Sequence, residues 1–317
     1  MPIAQVNGVN IYYEENGAGT ETVIFIAGFT ADHVAWKDMA RRYSKQYRTI
    51  IFDNRGVGRS DCPTSPYTAE MLADDTKALC DALRVGRAHF IGSSMGGQIV
   101  MMLAHKYPQL VKSAVLANSI MKVEGFLTGY LQLLEGQHEL IRLATDKKYA
   151  EMVKQVYTQV NLGWIFSSKY LSAPGVIAAQ IEFGRNLITE VGFCNQINVF
   201  QTFDASAWLE RIECPCLVIA SDADKILPVS AVQVIARMIP GAEFHVFPAP
   251  VGHLPHVEVP DEFYKITSTF IAKQCRPSCG TYVRSPVSTF FLPTVDHLPQ
   301  RVILSSTPPK IGSGCFH

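Results

Sequence analysis

Short apolar runs that stop at a turn residue, separated by longer stretches with helical spacing, most limit how this chain can fold. Val23 to Ala27 stops at Gly28, Thr49 to Phe52 at Asp53, and Ala88 to Ile91 at Gly92. Ala114 to Ala117 stops at Asn118, Cys216 to Ala220 at Ser221, and Glu243 to Phe247 at Pro248. Runs this short, bounded by turn residues, read as buried strands. Between them, Met71, Leu79 and Leu83, and then Ile99, Leu103 and Tyr107, recur at helical steps. Such alternation predicts an α/β fold: a mostly parallel central sheet with helices on both faces. Upstream, Ile3 to Glu15 centres on Asn7-Gly8 between apolar residues, a hairpin signal that predicts an antiparallel start to the sheet.

The alternation stops after Asn118. Residues 121–203 are helical in pattern and rich in large apolar side chains, among them Phe126, Leu131, Leu134, Trp164, Phe166, Phe183, Phe193 and Phe200. Strand patterning resumes at Cys216. The expected organisation is a core of residues 1–120 and 204–273, with 121–203 inserted as a helical cap, or lid, over the carboxyl edge of the sheet. Two extra core helices with a loop are the alternative. From residue 274 to 317 the chain is dense in Ser, Thr and Pro and carries no period, which predicts a disordered tail dispensable for catalysis.

Composition removes several functions. Lys plus Arg and Asp plus Glu both number 28, whereas a nucleic-acid binder carries a basic excess. No stretch approaches the roughly 20 apolar residues of a membrane span, and residues 1–10 lack a secretory layout. The expectation is a soluble cytoplasmic protein with reduced thiols. Cys214 and Cys216 flank Pro215, and Cys275 and Cys279 lie four apart, with no second pair or spaced histidines to complete a zinc pattern. No metal or cofactor is expected.

Chemistry concentrates at Gly92-Ser93-Ser94-Met95-Gly96, followed by Gly97. Chance would place Gly-x-Ser-x-Gly in about 10% of chains this long at ordinary Gly and Ser frequencies, so context decides. A strand (His89-Phe90-Ile91) lies just before and a helical segment (Gln98 to Tyr107) just after. A tight strand-to-helix turn lifts a serine oxygen clear of the backbone, and only small residues fit two positions either side. Ser94 is the candidate nucleophile, and Ser93 is out of register. A serine hydroxyl needs a base held by a third group. Of nine histidines, His253 follows a strand and a loop, where it can project over the sheet edge; His256 is the runner-up. His89, His105 and His245 lie inside expected elements and read as structural. Asp222 and Asp224, after the Leu217 to Ala220 strand, both qualify as the acid. The order serine, aspartate, histidine is that of the nucleophile-elbow hydrolases.

With these residues in view, the chain from about 8 to 273 resembles the capped α/β-hydrolases that include 3-oxoadipate enol-lactonases and bacterial esterases. The resemblance rests on Gly28-Phe29 with Trp36 downstream, Asp53 through Ser60, the elbow at Ser94, Asp224 through Pro228, and Gly252-His253. It implies Asp224 as the acid, since relatives place an aspartate four before the proline. It also implies backbone N–H groups of Met95 and Phe29 as oxyanion donors. Relatives usually carry His-Gly where this chain has Ala27-Gly28, which bears on how that loop packs. Gly56-Val57-Gly58 lacks the third glycine of a dinucleotide loop and reads as a structural turn.

The expected reaction is hydrolysis of a carboxylic ester, lactone or related acyl bond of a small, mainly apolar molecule, with Phe126, Trp164 and Phe183 as pocket residues. Serine at the nucleophile position argues against haloalkane dehalogenase and epoxide hydrolase. Carbon–carbon bond hydrolase, thioesterase, cofactor-free haloperoxidase and a hydrolase-fold small-molecule receptor are the alternatives.

Overall fold

The chain begins as Asn7-Gly8 dictates. Asn7 (φ 48) and Gly8 (φ 75) both take the left-handed conformation that a two-residue hairpin requires, and Val6 pairs with Val9 across the turn. The computed structural model describes residues 2–184 and 188–275, with the side chains at 126, 183 and 184 outside the description. Four strands open the chain: β1 (Ile3–Val6), β2 (Val9–Asn16), β3 (Thr22–Ile26) and β4 (Arg48–Phe52). β5 (Ala88–Ser93), β6 (Val111–Ala117), β7 (Cys216–Ser221) and β8 (Glu243–Phe247) complete one sheet in the order 1-2-4-3-5-6-7-8. The first three pair antiparallel, and every pairing from β4 to β8 is parallel. This is the mostly parallel sheet that the alternation predicts.

Three helices precede β6: α1 (Lys37–Tyr43), α2 (Ala69–Ala82) and α3 (Met95–Lys106). Five lie between β6 and β7: α4 (Phe126–Leu143), α5 (Lys147–Ile165), α6 (Ser168–Leu171), α7 (Val176–Gly184) and α8 (Glu190–Thr202). After β7 come α9 (Val229–Met238), α10 (Pro255–Glu258) and α11 (Pro260–Gln274). The boundary expected at 273/274 thus falls on the last residue of α11. Residues 276–317, most of the expected tail, lie outside the described residues. No described helix is long and apolar enough to cross a membrane.

Side-chain alternation explains why both faces of the sheet are covered. Val23 and Phe25 enter one core with Ile91, Val115 and Ile219, beneath α1 and α11. Ile24 and Ile26 enter the other with Phe90, Leu116 and Val218, beneath α2, α3 and α9. Continuous apolar runs are what a strand with two buried faces requires.

The turn after β4 is structural, as the missing third glycine implies. Gly56 (φ 88) and Gly58 (φ 58) both need positive φ, and a Cβ on Gly58 would lie 2.3 Å from Asp53 Oδ2. Asp53 is fully buried; it accepts the His33 and Arg59 N–H groups and faces His33 Nδ1 at 2.7 Å. Beside it, Arg55 makes a buried bidentate pair with Asp75, at 2.5 and 2.7 Å.

Phe25 is fully buried and packs its ring 5.3 Å from Trp36 and 5.5 Å from Tyr43. Phe25→Ala should therefore cost about 3–5 kcal/mol, read as a lower urea midpoint with an unchanged slope. A loss below about 1 kcal/mol would show that this face of the sheet can collapse around the cavity.

Candidate active site

Ser94 is the single residue between β5 and α3, and it sits at φ 55, ψ −122. For a residue with a Cβ this conformation costs on the order of 1–3 kcal/mol and persists only where the surroundings enforce it. They do so here by close backbone approach. A Cβ on Gly92 would lie 2.3 Å from Gly96 O, one on Gly96 2.2 Å from Ile26 O, and one on Gly97 2.5 Å from Ser119 Cβ. Ser94 N–H donates to Ala117 O at 2.9 Å and Ser94 O accepts from Gly97 N–H at 2.9 Å. Ser93 is buried and its hydroxyl has no partner among the described residues.

Beyond β7, Asp224 turns its carboxylate inward, with four donors on it. Oδ1 accepts the N–H groups of Ile226 (2.8 Å) and Leu227 (2.9 Å). Oδ2 accepts Asn118 Nδ2 at 2.9 Å and faces His253 Nδ1 at 2.7 Å. A carboxylate can only accept, so His253 carries its proton on Nδ1, which leaves Nε2 as the basic nitrogen. Asp222 is exposed, with only its backbone engaged, to Phe247 O. Of the two candidate acids, the structure brings Asp224 to the imidazole.

The loop that carries His253 is pinned from two sides. His253 N–H donates to Ile165 O at 2.8 Å, where α5 ends. Glu258 Oε1 accepts the N–H groups of Gly252 (3.1 Å) and Ser167 (3.0 Å), and its other oxygen accepts the Ser167 hydroxyl. A Cβ on Gly252 would meet Glu258 Oε1 at 2.6 Å and would also lie 2.8 Å from Ile165 O and 2.9 Å from Ser167 N, so the residue before His253 must be glycine.

Gly28 runs alongside the elbow: a Cβ there would lie 3.0 Å from Ser93 O and 3.2 Å from Ser94 Cβ. That approach brings the Phe29 loop beside Ser94. Among the described residues, neither the Phe29 nor the Met95 N–H has a hydrogen-bond acceptor. The Phe29 ring packs on Phe193 (5.2 Å) and Phe200 (5.6 Å) of α8. Where relatives were expected to carry histidine, the Ala27 carbonyl instead accepts Asn54 Nδ2 at 3.3 Å.

Residues 21–260 match the family described as alpha/beta hydrolase fold. The chain belongs to the α/β-hydrolase family. A putative carbamate hydrolase, RutD, of Caulobacter sp. (strain K31) is 26% identical over 268 residues, covering 83% of this chain and 96% of that one. The 3-oxoadipate enol-lactonase 1 of Acinetobacter baylyi is 26% identical over 270 residues, covering 85% and 96%. Among solved structures, a hydrolase from Pseudomonas aeruginosa PA01 superposes with a TM-score of 0.73 at 27% identity, over 85% of this chain and 97% of that one.

Four other histidines of this α/β-hydrolase have structural surroundings. His256 is stacked on Trp36 (centroids 4.1 Å apart, 19° between planes), and burial, with the nearby His253, pushes its pKa down to about 3. His89 is fully buried between Ser113 Oγ (2.8 Å) and Cys275 Sγ (3.5 Å), and burial lowers it to about 4. His105 stacks on Trp208 at 4.5 Å. His245, within β8, is lowered by burial and sits edge-on to Phe247.

Of the expected pocket residues, Trp164 lies 5.9 Å from the Tyr130 ring. Tyr130 is buried, and burial together with the Asp224 charge pushes its hydroxyl up to about 12. Phe126 and Phe183 fall in α4 and α7, but their side chains lie outside the described residues. A cavity of about 410 Å³ among α5, α6 and α7 is lined by Gln159, Leu171, Ile177 and Ile181, with neither Trp164 nor a candidate catalytic residue on its wall. Sequence reasoning missed Asn118 and Gln196. Asn118 stands at the end of β6 that faces Asp224.

A neutral buried histidine makes stability depend on pH. Because the folded pKa of His256 lies below the unfolded value, its contribution is complete above about pH 6.5 and is lost progressively as pH falls towards 3. His256→Phe should remove about 1.4 kcal/mol per pH unit from the acid slope of unfolding between pH 6.5 and 4, while leaving catalysis within a few-fold. An unchanged slope would show that His256 titrates normally in the folded chain.

Proposed function

We propose that this α/β-hydrolase is a serine hydrolase that opens a carboxylic ester, lactone or related acyl bond of a small, mainly apolar molecule. The observation that carries this reading is the Asp224–His253 hydrogen bond of 2.7 Å between side chains 0% and 6% exposed, supplied by two loops at the same edge as the strained Ser94. An imidazole fixed this way can take a proton at Nε2 and be stabilised as imidazolium by the carboxylate behind it.

In the proposed cycle Ser94 Oγ attacks the carbonyl carbon as His253 Nε2 takes the hydroxyl proton. The carbonyl oxygen, now negative, is received by the N–H groups of Met95 and Phe29, and the N-terminal end of α3 adds favourable potential. Collapse expels the leaving oxygen, which takes the proton from His253. Water then adds to the acyl carbon as it gives its proton to the same nitrogen, and collapse breaks the Ser94 Oγ–acyl bond, His253 returning that proton to Oγ as the acid leaves. Lactones and carbamates, named in two relatives, both present a carbonyl carbon to such a nucleophile. Residues 121–203 act as the cap, with Trp164 as its pocket residue. The aromatic pair Tyr130–Trp164, beside Asp224, supports an apolar substrate. The described cysteines carry free thiols, which supports a reducing, cytoplasmic setting.

Ser94→Ala should abolish hydrolysis of a short aryl ester and labelling by a fluorophosphonate, with folding unchanged. Residual activity above a few per cent would move the nucleophile elsewhere. Asp224→Asn should cost about 10³-fold or more in kcat and Asp222→Asn almost nothing; the reverse ranking would reassign the acid. A labelled Ser94 with tight ligand retention but no multiple turnover would point to a receptor.

A further inference from the structure

Gln196, on α8, is fully buried and uses both ends of its amide. Its Oε1 accepts the Thr30 N–H at 3.0 Å, and its Nε2 donates to Arg55 O at 3.3 Å. The orientation is fixed by chemistry, because a backbone N–H can only donate and a carbonyl can only accept.

Thr30 adopts φ 62, a left-handed conformation that a β-branched residue takes only under constraint. The peptide it belongs to follows Phe29 directly. On the other side of Phe29, Gly28 is held against Ser94 Cβ. The Phe29 N–H therefore lies on a short loop fixed at one end by the elbow and at the other by Gln196. The Phe29 ring is seated on Phe193 and Phe200, which belong to the same helix as Gln196.

α8 is a rigid mount for this purpose. A Cβ on its Gly192 would lie 2.1 Å from Gly56 O, so helix and loop meet backbone to backbone. Asn195 Nδ2 donates to Pro63 O (3.0 Å), Tyr67 N–H to Asn195 O (3.2 Å), and Asn198 Nδ2 to Tyr67 O (2.8 Å).

We propose that Gln196 is a positioning residue of the oxyanion site: it holds the Thr30 peptide in its left-handed state and so aims the Phe29 N–H at the oxygen that becomes negative on Ser94 acylation. The inference rests on the serine-hydrolase reading above. A donor aimed at the transition state affects kcat more than substrate binding, because charge on that oxygen appears only as the reaction proceeds.

The test compares wild type, Gln196→Met and Gln196→Asn with a short aryl ester and with a trifluoromethyl ketone, whose serine adduct places an oxyanion in the same site. Gln196→Met removes the acceptor at similar volume. It should lower kcat about 10- to 100-fold with KM within about threefold, and weaken the ketone by a similar factor. Gln196→Asn, one methylene shorter, withdraws the acceptor from Thr30 and should give the same split at smaller size, which keeps the test open if the methionine variant fails to fold. A melting temperature that falls while kcat and ketone affinity stay within about twofold of wild type, or a loss confined to KM, overturns the proposal. Ser94→Ala separates the two readings. If it abolishes turnover and labelling, a silent Gln196→Met overturns only this inference; if turnover survives it, the assignment of Ser94 as nucleophile falls and this inference with it.

Discussion

A serine forced to φ 55 between a strand and a helix is the constraint on which the rest of this structure depends. The conformation is unfavourable by itself, so its neighbours must make every relaxed alternative worse. Gly92, Gly96 and Gly97 do so by letting the backbones of β3, β5 and α3 and the Ser119 side chain approach to distances that any side chain would prevent. The same packing ties three consecutive parallel strands together at one end. β3 delivers Gly28 against Ser94, β5 delivers the serine, and β6 delivers the carbonyl of Ala117 that accepts its N–H. Strain at the serine and order at the sheet edge are two consequences of one set of contacts.

Around that edge, carboxylates hold loops in place through backbone hydrogen bonds: Asp224 and Asp53 are buried, and Glu258 is partly buried. Asp224 takes two backbone N–H groups before it meets His253, so its position is set by its own loop and the imidazole adapts to it. Glu258 takes two more backbone N–H groups to hold the loop behind His253, and Asp53 takes another two to hold the turn after β4. Each anion takes two backbone N–H groups, which cannot rotate away as a side chain can. A buried carboxylate left unpaired would cost several kcal/mol, so these loops have few alternatives.

The sheet was legible in the sequence because its signals are local. Strands with two buried faces are continuous apolar runs, and Asn7-Gly8 encodes its hairpin in two residues. Their ends were less legible: β6 begins at Val111, three residues before the apolar run suggests, because Lys112 and Ser113 interrupt the pattern while their backbone continues it. At the candidate site, Gly-x-Ser-x-Gly announced itself, since the close approach constrains neighbours in sequence. The preference for Asp224 over Asp222 came from resemblance, and geometry supplies its reason: one side chain turns into the edge and the other into solvent. Asn118 and Gln196 stayed hidden because their partners, Asp224 and Thr30, lie 106 and 166 residues away. An amide on a strand end or a helix carries no local mark of what it will hold.

The segment between β6 and β7 divides physically in a way its composition does not reveal. Its aromatic residues look alike in sequence, yet α8 meets the core through glycine contacts and buried amides, whereas α4, α5 and α7 leave Leu140, Met152, Val156 and Ile177 exposed. A helix locked by backbone approach cannot shift without breaking several buried hydrogen bonds at once. Volume-conserving apolar substitutions in the outer helices should usually cost under about 1.5 kcal/mol. The elements that bear on Ser94 and His253, namely α8 and the turn from Ile165 to Ser167 at the end of α5, are tied to the core by hydrogen bonds. Substitutions at the exposed Leu140, Met152, Val156 and Ile177 touch none of the hydrogen bonds that hold the His253 loop, whereas the end of α5 at Ile165 carries one of them.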